Sequence, residues 1–447
     1  MTTRPLQRFD VSSRNSLYER RTFKDKCTCA FCRVLLNRID KELDKTLRQE
    51  QAGFRKGRGC IDQIFTLKNI IEQSIEWKTP LYINFIDFKK AFDSIHRETL
   101  WAILRSYGVP KKIVTLIKSF YTDFECALLL NNKATDSFAV KSGVRQGCII
   151  SPILFLVAID WVMRKTTSDR SRGITWGMFS KLEDLDFADD IALLSPKQEH
   201  MQEKTTRLCD FASQTGLQIN ARKTKEMRLN TTSNDRLVAD CIHIEQVDNF
   251  TYLGAVVSTA DPTQKDIKNR LAKARSAFHR LRPIWKSKQY TRKTKLRIYN
   301  SNVKSILMYG SECWRVTKSD MRALSSFHHG CLRRICKIFW PQKVSNKDLL
   351  NMTESTCIIQ QIQQRRLRWL GHVLRMQGSN NTKVALRWTP QGKRARGRPK
   401  TTWRRTIEAE LKELGMTWGE AEVKAKNRVE WRNLVATLCS DRSEEDK

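Results

Sequence analysis

The chain has 447 residues, 40% of them hydrophobic, and its 82 lysines and arginines against 47 aspartates and glutamates give a formal charge of +35. This apolar content excludes a disordered tail. The longest apolar run, Ile149 to Met163, is broken by Pro152 and Asp160 and falls short of the roughly 20 residues a membrane helix needs. The polar start, Met1 to Asp10, lacks the apolar core of a secretory signal. Thirteen cysteines spread over this length read as reduced core residues of an intracellular globular protein, not as a disulfide scaffold. A positive field of this size points to a polyanion, usually nucleic acid.

The first 32 residues are polar, arginine-dotted and aperiodic, ending in Cys27, Cys29 and Cys32. From Arg33, Leu35, Ile39, Leu43 and Leu47 repeat at helical spacing. The loop Gly53-Phe54-Arg55-Lys56-Gly57-Arg58-Gly59 leads to a helix from Ile61 to Trp77, and Pro80 opens an apolar strand, Leu81 to Ile86, that stops at Asp87. Helices are predicted from Ser94 to Tyr107 and, opened by proline, from Pro110 to Tyr121. Asn131-Asn132 between Cys126–Leu130 and Ser137–Val140 reads as a hairpin. After a loop at Gly143 to Gly147, Pro152 starts a buried helix, and two short strands flank Ala188-Asp189-Asp190. A helix from Gln198 to Thr215 ends at Gly216, with strands predicted at Leu217–Asn220, Met227–Leu229 and Asn249–Val257. From Asp266 onward the pattern is helical: Asp266 to Trp285, Thr291 to Tyr309, Asp320 to Phe339 and Ile358 to Met376. The expected class is therefore α+β, with a mixed core followed by an α-helical region. The basic run Gln391 to Lys400 reads as a flexible strap between two helices.

Asp87 ends an apolar strand, where a carboxylate is held rigidly and still reaches solvent, although a lone aspartate there also serves as a helix cap or turn residue. Asp189 and Asp190, adjacent in an apolar setting, would repel unless one took up a proton or a cation neutralised both. Magnesium does the latter, with one or two carboxylates plus substrate phosphates.

Several motifs share one resemblance. Phe85-Ile86-Asp87-Phe88-Lys89-Lys90-Ala91-Phe92-Asp93-Ser94 resembles the first catalytic motif of reverse transcriptases, Ser142 to Pro152 the second, and Phe187-Ala188-Asp189-Asp190 the third. Gly216-Leu217-Gln218-Ile219-Asn220 with Lys223-Thr224-Lys225 is similar to the fourth, and Tyr252-Leu253-Gly254 to the primer-gripping turn. The phrasing is nearest the endonuclease–reverse transcriptases of non-LTR retrotransposons (RTE-like), and the likeness continues through Arg368 to Arg375 and Gly397-Arg398-Pro399-Lys400.

The resemblance implies a right-hand polymerase: fingers and palm with an antiparallel sheet over 33–257, a helical thumb over 258–344 and a basic helical region over 345–447, behind a non-family segment, 1–32. It implies an RNA-directed DNA polymerase that extends a primer with deoxynucleoside triphosphates by two-metal phosphoryl transfer. Asp87, Asp189 and Asp190 would hold two magnesium ions, with manganese as a substitute. Phe92 would pack under the incoming sugar and exclude a 2′-hydroxyl. Gln146 and Gly147 would touch nucleotide and template, and Arg55, Lys56 and Arg58 the template backbone or triphosphate. Lys223 would serve as general acid toward pyrophosphate. The implied partners are an RNA template, a DNA primer or target and the triphosphates, with no membrane, and the implied places are cytoplasm and nucleus. Phe92 also reads as a core aromatic, the basic loop as a solvated charge run and Lys223 as a surface lysine, while Trp369, Trp388 and Trp403, interleaved with arginines, read either as stacking on bases or as the small core of the last domain. Buried thiols and packing histidines account for Cys27, Cys29, Cys32, His328, His329, Cys331 and Cys336 better than zinc does. No room for the family's nuclease precedes Arg33, so an N-terminally truncated copy is expected, with a catalytically inactive binder of RNA or DNA as the alternative.

Overall fold

In the computed structural model, which describes residues 17–18, 23–122, 124–130, 133–177, 179–233, 235–394, 396–397 and 401–437, the apolar run after Pro80 forms β1 (Leu81–Ile86), with all six residues buried. It lies at the centre of a sheet with β2 (Asp184–Phe187), β3 (Asp190–Ser195), β4 (Lys225–Leu229) and β5 (Glu245–Gln246), in the order β5-β4-β1-β3-β2. Every pairing is antiparallel except β4 with β5. A strand buried on both faces reads as a continuous apolar run. The one amide within it, Asn84, bonds Thr205 Oγ1 at 3.0 Å.

The described residues divide into two compact units: one of residues up to Arg48 with Phe88–Thr166 and Arg207–Ile219, and one of Gln49–Asp87, Thr167–Thr206 and the chain from Asn220 onward. The sheet belongs to the second. There the Cys60–Trp77 helix buries Ile64, Phe65, Leu67 and Ile71 in a core shared with Leu81, Ile83 and Phe85. The basic C-terminal region joins the same core. Trp369 and Trp403 each set a ring 4.6 Å from that of Phe65, and Trp369 Nε1 donates to Asp62 at 2.9 Å. The three tryptophans are buried, which settles their reading as core. A Cβ at Gly371 would stand 2.2 Å from the Trp431 ring, so glycine here lets two helices approach closely. The expected strap is partly tied down: Arg394 Nη1 lies 3.0 Å from Glu76, while Ala395 and Arg398-Pro399-Lys400 lie outside the described residues.

The long helix expected from Asp266 to Trp285 runs instead from Pro262 to Arg280, capped by Asp261, whose side chain accepts from Gln264 N at 3.0 Å. It breaks at Leu281 because Pro283 cannot continue an α-helical ladder, and a short helix, Arg282–Lys286, follows. These helices, with Lys318–Cys336 and the start of Ile358–Leu374, build a second apolar cluster around Phe278, Trp285, Tyr299, Trp314 and Leu332. His328 packs in it, its Nδ1 2.7 Å from the Tyr299 hydroxyl.

In the first unit the opening helix, Phe23–Thr46, starts ahead of the predicted Arg33, over residues with no apolar periodicity. The Ser151–Thr166 helix is buried along most of its length. Its Asp160, fully buried, accepts from Arg48 N at 2.8 Å and Tyr107 Oη at 2.7 Å and pairs with Arg164, the partners a buried charge requires. Leu217–Asn220 forms no strand: Ile219 makes a single bridge to Phe88 before the chain turns. Glu125–Leu130 and Phe138–Ala139 pair as predicted, while the turn at Asn131-Asn132 lies outside the described residues.

Candidate active site

Strand register brings the acidic residues together. Ile86 stands opposite Ile191, so Asp87, the next residue, stands level with Asp190 on the adjacent strand, where directly opposed Cβ atoms lie about 5 Å apart. Phe187 pairs with Asp190, leaving Ala188 and Asp189 as the two residues of a tight turn. Ala188 holds φ +57°, a left-handed geometry that disfavours any residue with a Cβ. What holds it there is Gln51, fully buried, whose side-chain oxygen accepts from Ala188 N at 2.8 Å and whose amide donates to Ala188 O at 3.2 Å. The same oxygen accepts from Gly53 N at 2.8 Å. A Cβ on Gly53 would lie 2.3 Å from Ala188 N. Sequence reasoning missed Gln51 and Gly53. A buried amide bonded to a turn far along the chain leaves no periodic trace, although the glycine ahead of the basic run was a signal.

Asp87 is framed from another side. Its N–H donates to Thr224 Oγ1 at 3.3 Å, and its carbonyl accepts from Asn220 N at 2.7 Å. Asn220 and Thr224 thus position the strand end that bears Asp87. Lys223 is exposed, its Nζ 3.8 Å from Asp87 Oδ2. That Oδ2 is buried and has no hydrogen-bond partner.

The carboxyl tips of Asp189 and Asp190 reach solvent, but surrounding protein crowds them. Burial, then repulsion from Asp189 and Asp87, pushes Asp190 up to about 6; burial, then the charge on Asp87, raises Asp189. Among the described residues, no three His, Cys, Asp or Glu side chains stand arranged to hold a metal as they are. The acidic cluster nevertheless fits a divalent cation: it has an orphaned oxygen and two carboxyls whose ionised forms want a counter-charge, and magnesium completes its shell with water and phosphate oxygens.

The raised acid has a consequence for stability. The folded state holds a proton on Asp190 that the unfolded chain releases near its ordinary 3.8, so stability falls as pH rises from about 4 to about 6. The full shift corresponds to about 3 kcal/mol, and solvent screening at the exposed tip reduces this to about 1 kcal/mol. Asp190→Asn is therefore expected to raise the thermal midpoint of metal-free protein at neutral pH and to abolish the rise that magnesium gives wild type. Scanning fluorimetry with and without magnesium checks both; an unchanged magnesium response contradicts them.

The remaining predicted residues divide between the units. Arg55 is buried, its guanidinium donating to Gln51 O at 3.0 Å, and Arg58 grips Gln49 through backbone and side chain. Both hold the loop, while Lys56 is exposed. Tyr252-Leu253-Gly254 forms the turn of the hairpin Asn249–Tyr252 with Ala255–Ser258. Tyr252 Oη donates to Leu185 O at 3.1 Å, and Tyr309 Oη to Leu253 O at 2.8 Å. Arg270 bonds Gly254 O and lies over the Tyr309 ring. In the first unit, half-buried Phe92 stacks on Phe155 at 4.2 Å, and its carbonyl accepts from Val144 N at 2.8 Å. Gln146 Nε2 donates to Asp93 Oδ1 at 2.9 Å, beside Gly147 at φ +87°. Phe92 and the Gln146-Gly147 loop thus form one local group.

The reverse transcriptase (RNA-dependent DNA polymerase) family model matches residues 23–257, more than half of the chain. The chain belongs to the reverse transcriptase family. A family described only as a domain of unknown function matches 277–309. Among curated relatives, a Pol polyprotein from the type-2 retrotransposable element R2DM of Drosophila melanogaster is 28% identical over 42% of this chain and 18% of its own length. One from a type-1 element R2 of Nasonia vitripennis is 27% identical over 53% of the chain and 24% of the relative. A transposon-derived protein of Caenorhabditis elegans is 26% identical over 57% of this chain and 95% of its own length. This reverse transcriptase homologue therefore spans a quarter or less of the two Pol polyproteins. Among solved structures, a telomerase from Candida tropicalis in complex with a fragment of telomeric RNA superposes with a TM-score of 0.43 at 14% identity, over 82% of this chain and 59% of that one.

Proposed function

We propose that the chain is an RNA-directed DNA polymerase that extends a primer 3′-end with deoxynucleotides. The observation that carries this reading is the strand register that sets Asp87 level with Asp190 and beside Asp189. Two magnesium ions, or manganese in their place, would supply activation of the primer hydroxyl and neutralisation of the triphosphate. Asp87, Asp189 and Asp190 would hold them, the first through its unbonded oxygen. Lys223 would hold a proton for the departing pyrophosphate. Lys56 would meet template backbone or triphosphate, on a loop braced by Arg55 and Arg58. Gln146 and Gly147 would touch nucleotide and template.

Phe92 would exclude the 2′-hydroxyl of ribonucleotides. Phe92→Val, which keeps an apolar contact with Phe155, is expected to raise ribonucleotide over deoxynucleotide incorporation by roughly ten- to a hundredfold. Single-nucleotide extension with each substrate measures this; an unchanged ratio removes Phe92 from selectivity.

The boundaries proposed are fingers and palm to residue 257, a thumb over 258–344 and a basic helical region beyond. In the thumb, Arg275, Arg280, Arg282, Lys286, Arg334 and Lys337 line a cleft of about 1180 Å³ with no acidic residue on its walls, suited to nucleic-acid phosphates. Arg270, buried on the Tyr252–Gly254 turn, contributes to that turn instead. The partners would be an RNA template and a DNA primer, met in cytoplasm and nucleus; among the described residues no helix is long and apolar enough to cross a membrane. Primer extension on an RNA template, dependent on magnesium and abolished by chelation, tests the reading. Salt-sensitive nucleic-acid binding without extension at any magnesium concentration would assign the chain instead as a binding relic.

A further inference from the structure

Two cysteines in the first unit meet across more than a hundred residues of chain. Cys148 Sγ lies 3.9 Å from Cys32 Sγ. Cys32 is fully buried on the Phe23–Thr46 helix, and Cys148 is half-buried in the loop entering the Ser151–Thr166 helix. Neither is in a disulfide. We propose that Cys148 is a redox modification site that forms a reversible disulfide with Cys32 when a hydroperoxide is present, pinning the loop that carries Gln146 and Gly147 to the Phe23–Thr46 helix.

The surroundings favour Cys148 as the attacking sulfur. The Cys32 thiol, the backbone N–H groups of Ile150 and Ser151 and the Ser151 hydroxyl stabilise its thiolate, in that order after allowing for burial, and hold the thiol down to about 6. A thiolate at a helix start is the reactive form of cysteine. Tyr121, whose hydroxyl lies 3.3 Å from Ser151 Oγ, also faces it, while Arg145, whose carbonyl accepts from Cys148 N, turns its guanidinium over the Phe124 ring.

The chemistry balances in two steps. The Cys148 thiolate attacks a peroxide oxygen, the O–O bond breaks, and hydroxide leaves, giving the sulfenic acid. The Cys32 sulfur then attacks Cys148 Sγ, the S–O bond breaks, and the oxygen departs as water with the Cys32 proton. Two thiols lose two electrons, and hydrogen peroxide is reduced to water. The sulfurs need only close from 3.9 Å to the roughly 2.0 Å of a disulfide. Two residues ahead, Gln146 is bonded to Asp93, so tying Cys148 down restricts the loop proposed above to touch nucleotide; this consequence, unlike the disulfide itself, rests on the polymerase reading.

The test uses the full chain, reduced, desalted and treated with one equivalent of hydrogen peroxide. Peptide mapping without reductant is expected to yield a Cys32–Cys148 cross-link that dithiothreitol removes. On untreated wild type, iodoacetamide should label Cys148 well before exposed Cys241 at about pH 7, with a rate midpoint near 6. Primer extension should fall several-fold on oxidation and recover on reduction, while Cys32→Ala should extend primers normally and ignore peroxide. Thiols consumed with no Cys32–Cys148 cross-link, or Cys148 labelling no faster than Cys241, would overturn the proposal. A cross-link that leaves extension untouched would overturn the loop-pinning. Absence of extension in the reduced protein would count against the polymerase reading alone, since the cross-link is read by mass.

Discussion

Asp189→Asn should lower primer extension on an RNA template by on the order of a thousandfold, with the protein still folded. Asparagine keeps the shape of the side chain at the tip of the β2–β3 turn and removes only its charge. Asp189 sits where burial and Asp87 already oppose that charge, so neutralising it relieves repulsion and should leave the unfolding midpoint unchanged or slightly raised. The loss must then come from the chemistry: a carboxylate that no longer holds a cation against the triphosphate. Single-turnover extension at saturating nucleotide, with circular dichroism as the fold control, measures it. Equal incorporation by both proteins would remove the catalytic role from this cluster.

Gly53→Ala should cost roughly a hundredfold in extension without touching any proposed ligand. The added Cβ would lie 2.3 Å from Ala188 N, a backbone atom with nowhere to retreat, so the turn bearing Asp189 and Asp190 must move. Displacing catalytic groups by about 1 Å is worth about two orders of magnitude, and the overpacking should lower stability by about 1–3 kcal/mol. Gln51→Leu should lose activity by another route, leaving the buried N–H and carbonyl of Ala188 without their partner at the left-handed φ of +57°. The thermal midpoint and extension rate of both variants, with Gly378→Ala at an open position as control, check this. Full activity in Gly53→Ala would mean the turn is not held as described.

Much of this site was legible because its chemistry lies on regular elements. Leu81 to Ile86 is uniformly apolar and ends in Asp87, and Asp189-Asp190 interrupts an apolar pair of strands. Those patterns place each carboxylate at a strand end, while their convergence depends on a register that no local pattern records. The basic loop shows the opposite case. Its arginines read as presented charge, yet Arg55 is buried on the Gln51 carbonyl, because a partner distant in the fold decides where a guanidinium points. Leu217 to Asn220 has the alternation of a strand but lacks a neighbour to pair with beyond one bridge. The C-terminal tryptophans read either as base-stacking rings or as a core of their own region, and no local pattern shows that they share a core with Phe65.

The most direct test of a cation site built by Asp87, Asp189 and Asp190 is manganese titration followed by electron paramagnetic resonance, comparing wild type with Asp87→Asn/Asp189→Asn. Wild type should bind manganese saturably at neutral pH and lose it as pH falls through about 6, where Asp190 takes up its proton, and the double variant should leave the ion free at every pH. Identical binding curves for the two proteins would contradict the account.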